Sequence, residues 1–555
     1  MPMHTEPLPI DPTPERADAV MVPMRDGARL ETDVYRPARP NGGPAVVIRT
    51  PYGHRSALTF LPLVAEYLNE RGYAVVTQDV RGTGGSEGDF RPYVEIDDGY
   101  DTLDWVAAQR WSNGGVVMLG DSYFGLTQWA AIASGHPALR AVAPRGISTN
   151  GPRDVIYTNG AFNLAMMTFF ATMTVDGRLY PYTLPLDWQT RPLQDLLSSW
   201  LPGRTSSSFE EWRQAQPGDR YWRQEHFWRV RADQIRIPGM HLTGWYDEYR
   251  SSQISDWRVA GRSTRSNQYL RIDVADHTGN QLPPHGDTFV DFHETEKGIR
   301  DYLPRYLDPI VAFYDREARG MVDESLPPVR VEVVEGGIWE GETWPPPSAR
   351  NKRFHLADGA AAAKGPDGGA LADSSDSDEH IERWTHDPDD LVPFLAEDPI
   401  QGLYGGLPDE RPVEERPDVL TFTSEAMRIP LDLMGFAQTS LQVSGDAPVI
   451  QVTAKLVDVF PDGHARRITE GVHQLERPDP TEPVVVKLSD IGYRILPGHR
   501  LRLEIAASCF PRWMPVIDPE GDSWTATTGA PVEYQLRVGG GARSHLDVTV
   551  TEGEL

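Results

Sequence analysis

Residues 116–131 constrain the fold of this chain more than any other stretch. Four apolar residues predict a short buried strand, a turn of small residues follows, and a helix is predicted from about Leu126. Ser122 lies in the turn, between Gly120 and Gly125. Because a serine hydroxyl is a weak nucleophile, it must stand clear of the backbone where a base can take its proton, and a sharp strand–turn–helix does this. The stretch therefore predicts a nucleophile elbow with Ser122 as the nucleophile.

The spacing of this elbow differs from the usual pattern. The usual pattern is Gly-x-Ser-x-Gly, whereas this chain has Gly-x-Ser-x-x-Gly with Phe124 in the place of the second glycine. The alternative interpretation is an ordinary strand-to-helix turn that happens to contain a serine. The nucleophile interpretation therefore requires a base, an acid and oxyanion donors elsewhere in the chain.

Strands and helices are predicted to alternate on both sides of the elbow, which indicates a parallel sheet with helices on both faces. The pattern predicts a hairpin over 19–35, buried strands at 45–48, 73–77, 116–119 and 141–144, and helices at 61–69 and 98–109. The glycine-rich stretch 79–88 has no Gly-Lys-Ser/Thr ending and no well-placed acidic ribose partner. We therefore interpret it as a tight loop, not as a nucleotide site.

The alternation stops near residue 150. Residues 151–235 are helical in tendency and rich in large aromatic side chains, which predicts an inserted helical cap: Phe162, Phe169, Phe170, Trp188, Trp200, Trp212, Trp222 and Trp228. Most of these are expected in the core of the cap, and some could line a pocket. Strands at 237–243 and 269–274 and a helix at 301–314 then resume the α/β pattern over 236–327.

From residue 328 the chain is predicted to be all-β. Short strand-like runs alternate with Pro, Gly and Asp turns, and the low-complexity stretch 358–379 is expected to be a solvated loop. The predicted fold class is thus α/β. Residues 1–150 and 236–327 form a doubly wound α/β-hydrolase sheet, 151–235 a helical cap, and 328–555 a C-terminal β-sandwich.

Composition excludes some classes of function. The formal net charge of −28 argues against binding to nucleic acid or to anionic membranes. No run approaches the roughly 18 apolar residues of a membrane span, and residues 1–16 lack the basic start and apolar core of a signal peptide. Cys509 is the sole cysteine, which rules out an intrachain disulfide and a cysteine metal site. A cytoplasmic protein is expected.

An acid and a base follow the elbow in the order that α/β-hydrolases use, serine, then Asp or Glu, then histidine. Asp247 follows the first strand after the cap, and His277 follows the next strand. The alternatives are a helix N-cap for Asp247 and a loop histidine bonded to its own backbone for His277. His285 and His293 are rival bases, but neither follows an apolar strand.

A tetrahedral intermediate also needs two hydrogen-bond donors for its oxyanion. The backbone N–H of Tyr123, the residue after the nucleophile, is one expected donor. The loop after the strand at 45–48 contains Tyr52, whose phenol is a competent second donor. The alternative for Tyr52 is plain packing.

Five motifs together resemble the cocaine esterase / X-prolyl dipeptidyl-peptidase (CocE/NonD) family of serine hydrolases, and the resemblance covers nearly the whole length. The motifs are Arg49-Thr50-Pro51-Tyr52, residues 79–88, Gly120-Asp121-Ser122-Tyr123-Phe124-Gly125, Gly244-Trp245-Tyr246-Asp247 and residues 456–463. The extra residue in the elbow is a mark of this family. The resemblance implies an α/β-hydrolase domain with a helical cap and a C-terminal jelly roll.

By this resemblance Ser122, Asp247 and His277 carry over as the catalytic triad, and the Tyr52 hydroxyl and Tyr123 N–H as the oxyanion hole. The implied enzyme is a serine hydrolase, without cofactor or metal, that cleaves a carboxylic ester, or an amide, through an acyl-enzyme. Its expected partner is a small-molecule ester or acyl substrate, and a homo-oligomer is left open.

Tyr249 and Phe169 are the candidate pocket residues. Two alternatives within the family, an X-prolyl dipeptidyl peptidase and an α-amino acid ester hydrolase or acylase, would need a site for a free amino group. The amino acid ester hydrolases use an acidic cluster just after the catalytic aspartate, whereas Asp247 is followed here by Glu248, Tyr249 and Arg250. An alternative of another class is a binding protein built on a catalytically degenerate hydrolase, which the intact residue set argues against.

Overall fold

A computed structural model gives the structure of the chain and contains two large sheets. It describes residues 9, 11–150, 154, 156–180, 187–200, 203–204, 206–215, 231–263, 267–321, 326–357, 365–366, 368–374, 378–395, 406–479, 481–541 and 544–551.

The first part of the chain alternates strands and helices as predicted. Its elements are β1 (Ala17–Pro23), β2 (Arg29–Tyr35), β3 (Ala45–Thr50), α1 (Leu61–Glu70), β4 (Val75–Asp79), α2 (Ile96–Ala107), β5 (Val116–Asp121), α3 (Tyr123–Ser134) and β6 (Leu139–Arg145). Every residue of β3 and β4 is buried. Continuous burial is expected where helices cover both faces of a parallel sheet.

In the described part of the segment between β6 and the next large strand, helix exceeds strand. It contains β7 (Tyr157–Thr158), β8 (Ala161–Phe162), α4 (Leu164–Met173), α5 (Leu196–Trp200) and α6 (Ser207–Gln214), with 3₁₀ turns at Val175–Gly177, Leu193–Asp195 and Ala232–Gln234. The β7–β8 hairpin was not predicted, although Asn159 and Gly160 at its turn, both with positive φ, are a typical hairpin pair. Two-residue strands are too short to show an alternating pattern.

The α/β pattern then resumes with β9 (Gly239–Tyr246), α7 (Arg250–Ser263), β10 (Gln268–Asp276), α8 (Glu296–Glu317), β11 (Val329–Glu332) and β12 (Ile338–Gly341). These strands complete a ten-stranded sheet of order β1-β2-β4-β3-β5-β6-β9-β10-β11-β12. β11 and β12 fall in the range predicted for the β-sandwich, yet β11 pairs in parallel with β10. A chain that leaves β10 and returns through α8 makes a crossover that places the next strand beside β10.

Most of the chain after β12 forms an eleven-stranded sheet. The strands of this sheet are β13 (Arg350–Ala357), β14 (Gly369–Ala372), β15 (His380–His386), β16 (Leu420–Thr423), β17 (Leu431–Gly445), β18 (Val449–Val459), β19 (Ala465–Glu476), β20 (Val484–Ile495), β21 (Arg500–Ala506), β22 (Val532–Val538) and β23 (His545–Thr551). A short helix, α9 (Arg411–Glu414), precedes β16. β14 lies inside the stretch 358–379 that was expected to be a loop. That expectation was wrong for these four residues, because they pair with β13 and β16.

Successive residues of the central strands face opposite layers of helices. Val117 packs in one core cluster with Leu68 of α1 and Leu307 of α8, whereas Met118 packs in another with Trp129 of α3. This is the doubly wound arrangement that the sequence predicted, and it presents the carboxyl ends of the parallel strands at one edge.

The β7–α4 segment is joined to the C-terminal β-rich domain by backbone hydrogen bonds. Ala165 N–H donates to Pro511 O at 3.1 Å, Met514 N–H to Phe162 O at 2.8 Å, and Gln474 N–H to Asn159 O at 3.0 Å. The segment is therefore held against the β-rich domain over the sheet edge. Within the described ranges, no helix combines the length and the apolar character needed to cross a bilayer.

Candidate active site

Ser122 lies at the tip of the turn between β5 and α3. Its backbone has φ 54° and ψ −120°, a region that costs a non-glycine residue about 1–3 kcal/mol. Its N–H donates to Arg145 O at 2.9 Å, and Leu126 N–H donates to Ser122 O at 3.0 Å. The strained turn is thus held at both ends, and the side chain lines a cavity above the sheet.

The two glycines of the elbow explain its unusual spacing. A Cβ on Gly120 would lie 2.4 Å from Phe124 Cβ, and a Cβ on Gly125 would lie 2.6 Å from Ile147 Cγ2 and 3.3 Å from Gly120 O. The position two residues after the serine therefore accommodates a phenylalanine, because the closest approach to the neighbouring strand falls one residue later, at Gly125.

Asp247 and His277 meet at the same edge of the sheet. Asp247 directly follows β9 and His277 directly follows β10, which are parallel neighbours. His277 Nδ1 lies 3.1 Å from Asp247 Oδ1, which also accepts the Tyr249 N–H at 2.9 Å. Both side chains are buried. This arrangement fixes the imidazole with Nδ1 towards Asp247, which leaves Nε2 as the nitrogen that can act as a base.

Burial and charge act in opposite directions on this pair. Burial alone would raise the pKa of Asp247, but the charge and hydrogen bond of His277 and the Tyr249 N–H hold it below its ordinary value. Burial alone would lower the pKa of His277, but the carboxylates of Asp247 and Glu248 outweigh burial and raise it to about 9. His277 is thus a stronger base than a free imidazole.

Tyr52 lies beside the serine, in the loop after β3. It lines the same cavity as Ser122. Burial raises the pKa of the Tyr52 phenol well above its ordinary value, and the Ser122 hydroxyl only partly opposes this rise. The phenol therefore stays protonated and can donate. Tyr123 follows Ser122 at the first position of α3, so its N–H is one of the orphan donors at a helix N-terminus.

All the predicted site residues except Asp247 line one cavity of about 740 Å³. Tyr52, Ser122, Tyr123, Tyr249, His277 and Phe169 all contribute to its wall. Of the other aromatics predicted in the cap, Phe170 also lines it, whereas Phe162, Trp188 and Trp212 are buried away from it. Trp222 and Trp228 lie outside the described residues, as does the side chain of Trp200.

We call this cavity, which Ser122 and His277 line, the catalytic cavity. The rest of its wall is largely apolar, with Leu, Ile, Phe and Met side chains. Among the described lining residues the only carboxylates are Asp121 and Asp291. Asp121 is engaged by Arg145 at 3.1 Å and by the Tyr306 hydroxyl at 2.6 Å, and Asp291 is exposed. The cavity is therefore suited to an apolar group.

A second cavity of about 420 Å³ lies between α7, the β7–β8 hairpin and strands β19 and β20. Its wall is polar and charged and includes Glu248, Arg258 and Arg512. Met166 of α4 lines both cavities, so its side chain forms part of the partition between them.

Comparison with known proteins identifies the family of this chain. The sequence model of X-Pro dipeptidyl-peptidase (S15 family) matches residues 26–279, and that of the X-Pro dipeptidyl-peptidase C-terminal non-catalytic domain matches residues 321–528. Cocaine esterase of Rhodococcus sp. (strain MB1 Bresler) is 30% identical over 540 residues, which cover 90% of this chain and 91% of that protein. The chain belongs to the cocaine esterase / X-prolyl dipeptidyl-peptidase family. It is a serine ester hydrolase, as predicted.

Solved structures of low identity share the fold of this family member. An aminopeptidase from a marine sediment Thaumarchaeota archaeon superposes with a TM-score of 0.80 at 20% identity, covering 98% of this chain and 99% of that one. An α-amino acid ester hydrolase superposes with a TM-score of 0.79 at 22% identity, covering 96% of each chain. Both carry an α/β domain followed by a C-terminal β-rich domain, so the predicted fold class is confirmed.

Sequence reasoning missed a buried group that holds Tyr123 in this cocaine esterase relative. The Tyr123 hydroxyl donates to Glu95 Oε1 at 2.8 Å and accepts the Tyr93 N–H at 2.9 Å. Arg49 lies 3.0 Å from Glu95, yet burial is the stronger effect and raises the pKa of Glu95 to about 7. Arg49 belongs to a motif quoted above, but nothing in the sequence paired it with Glu95.

A second missed group supports the loop of Tyr52. The His54 ring lies between two carboxylates, 3.2 Å from Asp33 and 2.9 Å from Asp79. The backbone N–H of His54 also donates to Asp79 Oδ1 at 2.7 Å. Burial opposes the charged form, but the two carboxylates outweigh burial and raise the pKa of His54 to about 9. The imidazolium thus ties the loop to β2 and β4 two residues beyond Tyr52.

The rival histidines have other partners. His285 is largely exposed and pairs with Glu335 at 2.7 Å, and His293 pairs with Asp291 at 3.0 Å. His277 is the histidine that pairs with Asp247.

Two groups within the described ranges have the residue types of a metal site, Glu31-His54-Asp79 and Asp247-Glu248-His277. In both, an imidazole nitrogen already engages a carboxylate. That the enzyme needs no metal stays a prediction.

Proposed function

We propose that this protein hydrolyses a small-molecule carboxylic ester through an acyl-enzyme on Ser122. His277 accepts the Ser122 proton as the oxygen attacks the ester carbonyl, and then gives that proton to the leaving alcohol. It next accepts a proton from the water that attacks the acyl-enzyme, and returns it to Ser122. Asp247 holds the imidazole tautomer throughout. The Tyr52 hydroxyl and the Tyr123 N–H stabilise the oxyanion.

One observation carries this proposal. The Nδ1 of His277 lies 3.1 Å from Asp247. Ser122 is held in a strained turn, and its side chain lines the same cavity as His277 and Tyr52. Nucleophile, base, orienting acid and oxyanion donor come from four different loops. An ordinary strand-to-helix turn would not require these partners.

The catalytic cavity favours an ester with an apolar acyl group over a substrate with a free amino group. A free ammonium needs an available carboxylate in the wall. Among the described lining residues, Asp121 is already paired with Arg145 and Asp291 with His293. Glu248, the acidic residue next to Asp247, contributes to the wall of the second cavity. Tyr249 and Phe169 are proposed to contact the acyl group.

Labelling with a fluorophosphonate probe tests the assignment of Ser122. The wild-type protein should be labelled, and Ser122→Ala should abolish labelling. Ser134→Ala, at the other end of α3 where the hydroxyl bonds Ala131 O, is the control and should be labelled as the wild type is. A wild-type protein that is not labelled, or label that persists in Ser122→Ala, would refute the nucleophile and favour a degenerate binding protein.

A substrate panel tests the ester preference. Hydrolysis of p-nitrophenyl esters should exceed hydrolysis of Xaa-Pro anilides by a kcat/KM ratio of at least about 100-fold, because a polar group without a partner in an apolar wall is rejected strongly. Faster turnover of the anilides, or a requirement for a free α-amino group in the ester, would favour the peptidase or amino acid ester hydrolase alternative.

Three finer assignments also belong to the proposal. The C-terminal β-rich domain is proposed to be a jelly roll, with domain boundaries near residues 150 and 235. The third boundary, predicted at 327, is proposed to lie beyond β12, because β11 and β12 belong to the first sheet. The protein is proposed to act in the cytoplasm, with its one cysteine buried and reduced. Cell fractionation tests the location, and light scattering tests whether a homo-oligomer forms.

A further inference from the structure

Glu248 occupies an unusual place beside the catalytic pair. It directly follows Asp247, and it is half-buried. One carboxylate oxygen of Glu248, one of Asp247 and one nitrogen of His277 all lie within 4.8 Å of one another. A second carboxyl group thus lies within reach of the imidazole, although a serine hydrolase needs only one orienting acid. Burial raises the pKa of Glu248, and the positive charges of His277 and Arg512 oppose this rise and favour the carboxylate.

The side chain of Glu248 is separated from the substrate. It lines the second cavity, while His277 lines the catalytic cavity. The imidazole therefore has the substrate on one side and Glu248 on another. Any effect of Glu248 on the chemistry must pass through His277, because Glu248 is not part of the wall around the reacting carbonyl.

Other charged or titratable groups in the described part of the chain also act on His277. Asp247 bonds Nδ1, Arg145 lies near enough to oppose the positive charge, and the Tyr249 ring packs edge-on at 5.3 Å. Arg145 is itself engaged by Asp121 and by Asp276 O. Glu248 is the group that adds a second negative charge to the surroundings of the imidazole.

We propose that Glu248 is a positioning residue that stabilises the His277 imidazolium from the side of the second cavity. This inference rests on the proposed function. Its consequence is that His277 takes the Ser122 proton more readily in the transition state, since two carboxylates face the positive charge that forms. In return, the free enzyme holds a proton on His277 to a higher pH, so activity at neutral pH is lower than at alkaline pH.

NMR titration of histidine-labelled protein tests the proposal without turnover. The His277 ring signal is assigned by its absence from His277→Asn. Glu248→Gln should lower the pKa of His277 by about one unit, as expected for loss of a charge within about 4–6 Å. Glu248→Asp keeps the charge and should restore at least half of that shift. An unchanged His277 titration in Glu248→Gln would overturn the proposal.

Asp154→Asn is the matched control. Asp154 also lines the second cavity, and its Oδ2 accepts from Ser148 Oγ at 3.0 Å, a bond that an asparagine oxygen can keep. The variant removes one negative charge from the wall of the second cavity but leaves the carboxylates beside His277 unchanged. Its His277 titration should match the wild type. A shift equal to that of Glu248→Gln would mean that the pKa of His277 depends on the total charge of the cavity, not on Glu248.

Kinetics supply the second readout. The acid limb of kcat/KM for a p-nitrophenyl ester should move to lower pH by the same shift in Glu248→Gln, and kcat on the alkaline plateau should fall by about tenfold. KM should stay within about twofold, because the substrate does not touch Glu248. A raised KM with unchanged kcat would indicate a substrate contact and refute the proposal. If no ester is cleaved at all, the proposed function fails while the NMR titration still tests Glu248.

Discussion

Gly146 shows how closely Asp247 and His277 are packed. Its φ is +56°, and a Cβ there would lie 2.4 Å from Asp247 Oδ2 and 3.1 Å from His277 Nδ1. We expect Gly146→Ala to displace the pair and lower kcat/KM by about 100-fold, since displacements near 1 Å cost about this much. Steady-state kinetics with a p-nitrophenyl ester measures the effect.

Gly135→Ala is the control for Gly146→Ala. Gly135 also has a left-handed φ, +68°, but a Cβ there would meet nothing within 4 Å. Both variants should therefore lose stability through backbone strain, and only Gly146→Ala should lose activity beyond that. An equal loss of activity in both would show that strain, not contact with the pair, is responsible.

The pH dependence of the reaction follows from His277. The imidazole must be neutral to accept a proton, and its pKa is raised to about 9 because Asp247 and Glu248 outweigh the opposing effect of burial. A raised pKa means that His277 is mainly protonated at neutral pH. We expect kcat/KM to rise about tenfold per pH unit and to level off near pH 9. A plateau already reached at pH 7 would contradict this expectation.

At the scale of elements, α4 divides the space above the sheet edge. Met166 lines both cavities, whereas Met173 lines only the catalytic one. We expect Met166→Ala to join the cavities and extend the accepted esters to longer groups or groups with a polar end. kcat/KM for p-nitrophenyl esters of increasing acyl length, with methyl and hydroxyl ends, measures this.

Met173→Ala is the matched variant for Met166→Ala. It removes the same side-chain volume from α4 but leaves the partition in place. It should enlarge the catalytic cavity without raising kcat/KM for esters whose acyl group has a polar end. If the two variants show the same change in preference, the partition at Met166 has no role in selectivity.

At the scale of the whole molecule, Arg466 joins the two large sheets. Its fully buried guanidinium lies 2.8 Å from Glu335, donates to the Tyr493 hydroxyl, and reaches Gly286 O at 3.2 Å. Arg466→Met leaves Glu335 buried without this partner. Breaking a buried ion pair in this way lowers the free energy of unfolding by about 3–5 kcal/mol. We expect a lower midpoint in denaturant unfolding.

Two further variants separate charge from packing at Arg466. Arg466→Met combined with Glu335→Gln should recover part of the loss, because the buried charge is also removed. Arg300→Met, which breaks surface pairs with Glu66 and Glu296, should cost under about 1 kcal/mol. A loss at Arg466 no larger than at Arg300 would show that the two sheets do not depend on this contact.

The sequence by itself determined the fold class and the residues proposed for catalysis. Ser122, Asp247 and His277 each follow a predicted strand, and the carboxyl ends of parallel strands meet at one edge, so local pattern was enough to bring them together. The choice of His277 over His285 and His293 used the same rule.

The tertiary structure alone decided features that depend on contacts distant in the chain. The burial of Glu95 beneath Tyr123, the place of Glu248 in the wall of the second cavity and the pairing of β11 with β10 leave no local pattern. Phe169 and Trp212 are equally aromatic in the sequence, yet one lines the catalytic cavity and the other is buried away from it. The physical reason is that a residue type sets what a side chain prefers, whereas the packing of several segments sets what it meets.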